Sequence, residues 1–87
     1  MKLYNEIQNS FPMIEKLFTK EDLSEFKNAP LSDLYRYHLG LGIWIRNNLL
    51  CPKENLLYSL FLESGIKHKD EMSSFIIKLF HYNISEK

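Results

Sequence analysis

Three residues near the middle of the chain, His38, Gly42 and Arg46, have the types and spacing of a small polar binding site. If this segment is helical, residues four positions apart lie in one line along its surface. The missing side chain of Gly42 would then leave a notch with an imidazole at one end and a guanidinium at the other. Such a notch could bind a carboxylate, a phosphate or a side chain of a partner protein.

The same three residues also have a purely structural interpretation. Gly42 could admit a neighbouring helix, and Arg46 could pair with an acidic side chain, for which Asp70 is a candidate. Two glycines inside one helix each cost roughly 1 kcal/mol relative to alanine, so close packing would have to offset that cost. Both interpretations stay open at the level of the sequence.

The other reactive residues argue against an enzyme. The three histidines are not at metal-ligand spacing, and the single cysteine, Cys51, does not complete a zinc set. The glycine-containing segment 40–42 lacks the strand and loop that a phosphate-binding motif requires. The sequence identifies neither paired carboxylates nor a nucleophile with its base. We therefore expect no catalytic residue, no metal and no cofactor.

Binding to another protein agrees better with the residue types. Trp, Tyr and Arg are the side chains that most often anchor protein interfaces, and the chain has them close together at Tyr35, Arg36 and Trp44. Tyr35 and Arg36 lie near the start of a predicted helix and are expected to be exposed. Trp44 has an alternative place in the core of the domain.

The apolar pattern puts these residues on one long helix. Apolar residues recur at three- and four-residue spacing from Leu34 to Leu49, which is typical of a helix that buries one face. Ser32 is a suitable N-cap, and Pro52 prevents simple continuation. We predict a central helix over about residues 33–50, around which the rest of the chain packs.

Shorter amphipathic segments lie on both sides of this helix. They are predicted near residues 2–9, 11–18 and 19–28 before it, and near 52–64 and 70–82 after it. Thr19 and Asp70 are candidate N-caps, and Gly65 is a candidate C-terminal stop. No alternating pattern typical of a strand is present. The chain is therefore predicted to be a single helical domain over residues 1–87, an all-α, compact bundle of four to six short helices.

Composition and charge limit the classes of partner. Eleven basic and eleven acidic residues give a formal net charge of zero, and no basic stripe that could bind a phosphate backbone is visible. A helix-turn-helix interpretation leaves only Lys78 on the recognition helix, which is too little positive charge for DNA binding. No apolar stretch approaches the roughly 20 residues that cross a bilayer. We expect a cytoplasmic protein, monomeric or weakly dimeric, that binds neither nucleic acid nor membrane directly.

The segment from His38 to Asn48, HLGLGIWIRNN, resembles the central signature of an uncharacterised family of small bacterial all-helical proteins. That signature is His-x-Gly-x-Gly-x-Trp-Ile-Arg-Asn, and Leu39 stands where the family usually has Phe. Residues 65–68 and 70–74 also resemble the family, so the likeness extends over about residues 31–82.

Small bacterial domains of this kind resemble the immunity proteins that neutralise toxins delivered between competing cells. The resemblance implies an immunity protein that binds a cognate toxin, typically a nuclease, and occludes its active or substrate-binding surface. Alternatives are a non-catalytic regulatory or structural module, which could be homodimeric, and a binder of small anions that uses the notch of His38, Gly42 and Arg46. The candidate partner- or ligand-binding residues are His38, Trp44, Arg46, Asn47, Tyr35 and Arg36.

Overall fold

The computed structural model describes residues 2–37, 39–51 and 55–86. In chain order, these residues form α1 (Lys2–Glu15), α2 (Lys20–Asn28), a 3₁₀ helix (Leu31–Tyr37), α3 (Leu41–Asn48), α4 (Leu56–Glu63) and α5 (Lys69–Ser85). This part of the chain contains no strand, and none of its helices is both long enough and apolar enough to span a membrane. The prediction of an all-α bundle of four to six short helices is confirmed.

The longest helix, α5, is the one around which the others pack. It contacts α1, α2, the 3₁₀ helix and α3, whereas α4 packs mainly against α1. Its buried residues are Met72, Ser73, Ile76, Ile77, Phe80, His81 and Ile84. We predicted this central role for a helix over residues 33–50. It belongs to α5 because seventeen uninterrupted helical residues extend far enough to reach four neighbouring elements.

The prediction of one helix over residues 33–50 is wrong, because the segment is divided before α3. The 3₁₀ helix ends at Tyr37, residues 39 and 40 form a turn, and α3 begins at Leu41. Glycine is the poorest helix former after proline, and a break at Gly40 removes one glycine from a helix interior. Gly40 is the N-cap residue of α3 and makes no side-chain cap.

Packing on the two sides of this break favours two separate elements. The 3₁₀ helix starts with a hydrogen bond of 2.9 Å from the Asp33 N–H to the Pro30 carbonyl oxygen, so Ser32 is not the N-cap of a long α-helix. Tyr37 contacts Phe26 of α2 edge-on, with 4.7 Å between the ring centroids. Helix α3 buries its own Ile45 completely. Each element therefore has its own apolar anchor.

Helix α1 runs from Lys2 to Glu15 without interruption, although Pro12 lies inside it. We predicted two segments that meet near Phe11 and Pro12, because proline lacks the N–H group that a helix interior uses. That prediction is wrong. Ile7 and Ile14, on the two sides of the proline, are both fully buried, and burial of such side chains offsets the missing hydrogen bond.

Among the predicted helix-boundary signals, Thr19 and Gly65 are confirmed. The side chain of Thr19 caps α2 by accepting a hydrogen bond of 3.0 Å from the Asp22 N–H. Gly65, just after α4, has a φ of 91°, which favours glycine. Asp70 is not the N-cap of α5. His68 has the extended backbone of an N-cap, and Asp70 lies in the first turn, where the helix dipole favours a negative charge.

Aromatic rings fill the core between α2, the 3₁₀ helix and α5. Phe26 is fully buried. Four rings surround it at centroid distances of 4.7 to 5.7 Å, namely Phe18, Tyr37, Phe80 and His81. The His81 Nε2–H group also donates to the Ala29 carbonyl oxygen at 2.9 Å. This aromatic cluster fixes α2 and the 3₁₀ helix on α5.

Gly40 and Gly65 are a matched pair for testing the backbone at the break. A Cβ atom at either position would meet no described atom within 4 Å, so the two sites differ in conformation alone. Gly65 has a φ of +91°, whereas Gly40 has a φ of −80°, which any residue adopts. We predict that Gly65→Ala lowers the free energy of unfolding by about 1–2 kcal/mol. Gly40→Ala should leave it unchanged or raise it by about 0.4–1 kcal/mol.

Urea denaturation of both variants measures this difference. Equal destabilisation by the two substitutions would contradict the conformation described for Gly40.

Candidate functional site

A cleft of about 510 Å³ opens where the α1–α2 connection, helix α2, the 3₁₀ helix and α3 meet. Its volume lies within the range of ordinary binding pockets. The residues that line it are Leu17, Phe18, Asp22, Glu25, Arg36, Tyr37, Gly40, Leu41 and Trp44. We call it the Trp44 cleft.

Helix α3 holds Trp44 at the wall of this cleft. The Trp44 N–H donates to the Gly40 carbonyl oxygen at 3.3 Å in the first turn of α3, and the Trp44 side chain packs partly against the core. Gly40 also lines the cleft and has no side chain to occupy it. Another wall comes from α2, whose first turn is ordered by the cap at Thr19.

The charged side chains give the cleft a net negative lining. Asp22 and Glu25, three residues apart on α2, supply two carboxylates, and Arg36 supplies one guanidinium. Among the described residues, the only ion pair within 4.0 Å joins Arg46 to Asp70. Neither carboxylate of the cleft is therefore paired with a cation in the described part of the chain.

The pKa of the Tyr37 phenol is raised by burial and by this negative lining. Burial is the largest cause that raises the pKa of its phenol above the usual value of 10.0, and the Glu25 carboxylate is the next. Asp22 and Asp33 raise the pKa further, while the Arg36 guanidinium lowers it. The carboxylates near Tyr37 thus outweigh the single cation.

The six predicted binding residues do not form one site. Trp44 and Arg36 line the Trp44 cleft. Tyr35 is 74 % exposed and lines a separate groove between the 3₁₀ helix and α5. Asn47 is exposed on α3. His38 lies outside the described residues.

The sixth residue, Arg46, joins α3 to α5 through polar contacts. Its Nη1 donates to Ser73 Oγ at 3.0 Å and lies 3.5 Å from Asp70 Oδ1. The hydroxyl of Ser73, which is fully buried, donates in turn to the Asp70 carbonyl oxygen at 3.0 Å. The predicted pair of Arg46 with Asp70 is confirmed. Gly42 is buried in α3, as the structural interpretation of the sequence requires.

The break in the predicted helix removes the geometry on which the notch depended. A single line of His38, Gly42 and Arg46 required residues 39 and 40 to be helical, and they form a turn instead. The Nη1 group of Arg46 is also occupied by its contacts with α5. The candidate binding surface is therefore the Trp44 cleft.

Sequence reasoning missed the contribution of α2 to this cleft. Asp22 and Glu25 lie in the segment near residues 19–28 that we predicted to be helical, and neither was given a binding role. Their spacing of three residues does place both carboxylates on one side of a helix. The spacing alone does not show which other segments line the cleft, because Arg36, Gly40 and Trp44 are distant from α2 in the sequence.

The lining groups determine what the cleft can bind. It offers two carboxylates, a guanidinium, a phenol and an indole beside apolar leucine side chains. In the described part of the chain, no group of three or more His, Cys, Asp or Glu side chains lies close enough together to hold a metal ion. Carboxylates next to an aromatic ring can bind a cationic or hydrogen-bond-donating group that carries an apolar stem.

Comparison with known proteins gives a family but no activity. The sequence model of one family, described as Domain of unknown function (DUF6794), matches residues 5–84. Searches of the curated proteins and of the solved structures found no match. The geometry of the chain itself is thus the basis for inferring its function.

The two α5 contacts of Arg46 should differ in their contribution to stability. Ser73 is fully buried, so Ser73→Ala leaves the guanidinium without its buried partner, and we expect a loss of about 1–3 kcal/mol. The Asp70 side chain is 74 % exposed, and exposed ion pairs contribute only about 0–1 kcal/mol. Urea denaturation of Ser73→Ala and Asp70→Asn tests which substitution lowers the free energy of unfolding more. A larger loss for Asp70→Asn would contradict it.

The raised pKa of Tyr37 predicts a loss of stability at alkaline pH. The folded protein holds the phenol proton more tightly than the unfolded chain does, so this stabilisation is fully present below about pH 10 and is lost as the pH rises through the higher folded pKa. Tyr37→Phe keeps the ring and removes the ionisation. Its free energy of unfolding should therefore fall less above about pH 10 than that of the wild type.

Tyr35→Phe is the matched control, because Tyr35 is 74 % exposed. Parallel declines in the wild type and in Tyr37→Phe would show that the Tyr37 phenol titrates as it does in the unfolded chain.

Proposed function

The chain belongs to the DUF6794 family of domains of unknown function, and we propose that it is a non-catalytic protein-binding domain that acts as an immunity protein. In this proposal it binds a cognate toxin in the cytoplasm through the Trp44 cleft and occludes the toxin's active or substrate-binding surface. One observation carries the proposal: the only Trp of the chain lines an open cleft together with two carboxylates and a guanidinium.

Exposed apolar side chains next to the cleft support protein binding. Leu17 lines the cleft and is 46 % exposed. Leu39, adjacent in sequence to the lining residue Gly40, is 73 % exposed. Apolar groups that surround a concave site are typical of surfaces that bind proteins, because a partner removes them from water.

The position of Trp44 also supports this role. The indole is partly buried and packs against the core, so it is held in place before a partner arrives. A pre-ordered aromatic side chain loses little conformational entropy on binding, which makes it an effective anchor. Arg36, the other predicted interface residue in the cleft, is exposed.

A toxin as the partner is supported by the resemblance in residues 38–48 to a family of small bacterial proteins. An inhibitor needs only a stable scaffold and one complementary surface. A nuclease binds a phosphate backbone through basic side chains, and a negatively charged cleft is complementary to such a surface. The formal net charge of the chain is zero, so in this proposal the complementarity is local.

Growth rescue in a heterologous bacterial host tests the proposal. We expect the protein encoded beside this gene to stop growth when expressed alone, and coexpression of the chain to restore it. Gly40→Phe should abolish rescue without unfolding the domain, because it adds a large ring at a residue that lines the cleft, and a Cβ atom there meets no described atom within 4 Å.

Leu56→Phe is the matched control, because Leu56 is 58 % exposed and lines a different groove, between α1 and α4. This variant should rescue growth fully. Full rescue by a folded Gly40→Phe protein would exclude the cleft as the inhibitory surface. Failure of the wild type to rescue growth from a toxic neighbour would count against the immunity function.

A homodimeric structural or regulatory module is the second candidate. An apolar groove of about 320 Å³ between α1 and α5 favours it, with lining residues Leu3, Tyr4, Phe75 and Leu79. Phe75 and Tyr4 are each 40 % exposed. Light scattering over a range of concentrations distinguishes this candidate, which requires a doubled mass that Phe75→Lys abolishes. A constant monomer mass excludes it.

A further inference from the structure

We propose that the Trp44 cleft receives a basic side chain, Lys or Arg, from the partner protein, with its charge beside the carboxylates of Asp22 and Glu25 and its apolar stem against Trp44. This inference rests on the proposed function and specifies the chemistry of the contact.

The charges of the lining favour a cation. Asp22, Glu25 and Arg36 together contribute a formal charge of −1, from two carboxylates and one guanidinium. Tyr37 lies in the same field, and its raised pKa is caused by burial first and then mainly by Glu25. Asp22 and Glu25 are both exposed, so a cation can reach either carboxylate. An incoming cation therefore gains from both carboxylates.

The uncharged part of the lining is suited to the stem of such a side chain. Lys and Arg lay their methylene groups along apolar surface while the charged end stays near polar groups. Leu17, Leu41 and Trp44 provide that surface. The face of a Trp ring also attracts a cation more strongly than that of any other side chain.

Other side chains are less complementary to the same lining. An acidic side chain would add a third carboxylate beside Asp22 and Glu25, and like charges repel at these separations. An apolar side chain would fill the cleft but would take water from two carboxylates without replacing it, which is unfavourable. The mixed lining is most complementary to a cation on an apolar stem.

NMR titration of the uniformly ¹⁵N-labelled protein tests the proposal directly. The probes are the Nα-acetyl methylamides of lysine and arginine, with the norleucine and glutamate analogues as comparisons. We expect the indole N–H signal of Trp44, the only Trp in the chain, to shift saturably with lysine and arginine. Asp22→Asn/Glu25→Gln should weaken this binding by about five-fold, the effect of losing two partly exposed ion pairs.

Glu63→Gln/Glu71→Gln is the control for the charge change. Glu63 and Glu71 are exposed acidic residues that do not line the Trp44 cleft, so this variant should bind the probes as the wild type does. Equal saturable shifts with norleucine, or stronger ones with glutamate, would overturn the inference.

The titration and the growth assay fail independently. If Gly40→Phe abolishes rescue while lysine and arginine leave the Trp44 signal unchanged, the cation inference is overturned and the proposed function stands. If both probes bind as expected while Gly40→Phe still rescues growth fully, the cleft binds cations but is not the inhibitory surface.

Discussion

The turn at Leu39 and Gly40 is the constraint on which the Trp44 cleft depends. In one continuous helix, Arg36 and Trp44 would be separated by about 12 Å along the axis, because each residue adds about 1.5 Å. They line the same cleft because the chain turns between the 3₁₀ helix and α3. Gly40 lies in this turn and lines the cleft without a side chain.

The elements on the two sides of that turn are anchored separately to α5. The aromatic cluster around Phe26 joins α2 and the 3₁₀ helix to α5 through Phe80 and His81. Helix α3 is joined to α5 through Arg46 and the buried Ser73. Tyr37 and Phe18 belong both to this aromatic cluster and to the lining of the cleft, so the core packing also positions part of the cleft wall.

Part of this arrangement could be predicted from the sequence because it depends on local chemistry. Thr19 and Gly65 act within a few residues of their own positions, and helical periodicity over the whole chain was enough for the all-α class. The pair of Arg46 with Asp70 was a candidate as well, because a guanidinium on a largely apolar segment needs an acidic partner. The helix boundaries and the helical class require no knowledge of which helices are neighbours, whereas the ion pair requires α3 to pack on α5.

The remaining features depend on tertiary contacts. Phe75 has helical spacing with the buried Met72 in the amphipathic segment predicted near residues 70–82, yet it is 40 % exposed, while Ser73 and Ile77 are buried. Because α5 has neighbours on several sides, its buried surface is not the single stripe that periodicity suggests. The Trp44 cleft likewise combines residues from α2, the 3₁₀ helix, α3 and the connection between α1 and α2, and no spacing in the sequence relates Asp22 to Trp44.

Collisional quenching of Trp44 fluorescence by Cs⁺ and by I⁻ tests the central claim most directly, because the chain has no other Trp. Each quenching constant is normalised to that of N-acetyl-tryptophanamide at the same ionic strength. An open cleft with a negative lining predicts that Cs⁺ quenches Trp44 more efficiently than I⁻ does, and that neutralising Asp22 and Glu25 removes the difference. A normalised I⁻ constant equal to or greater than that of Cs⁺, or no quenching by either ion, would contradict it.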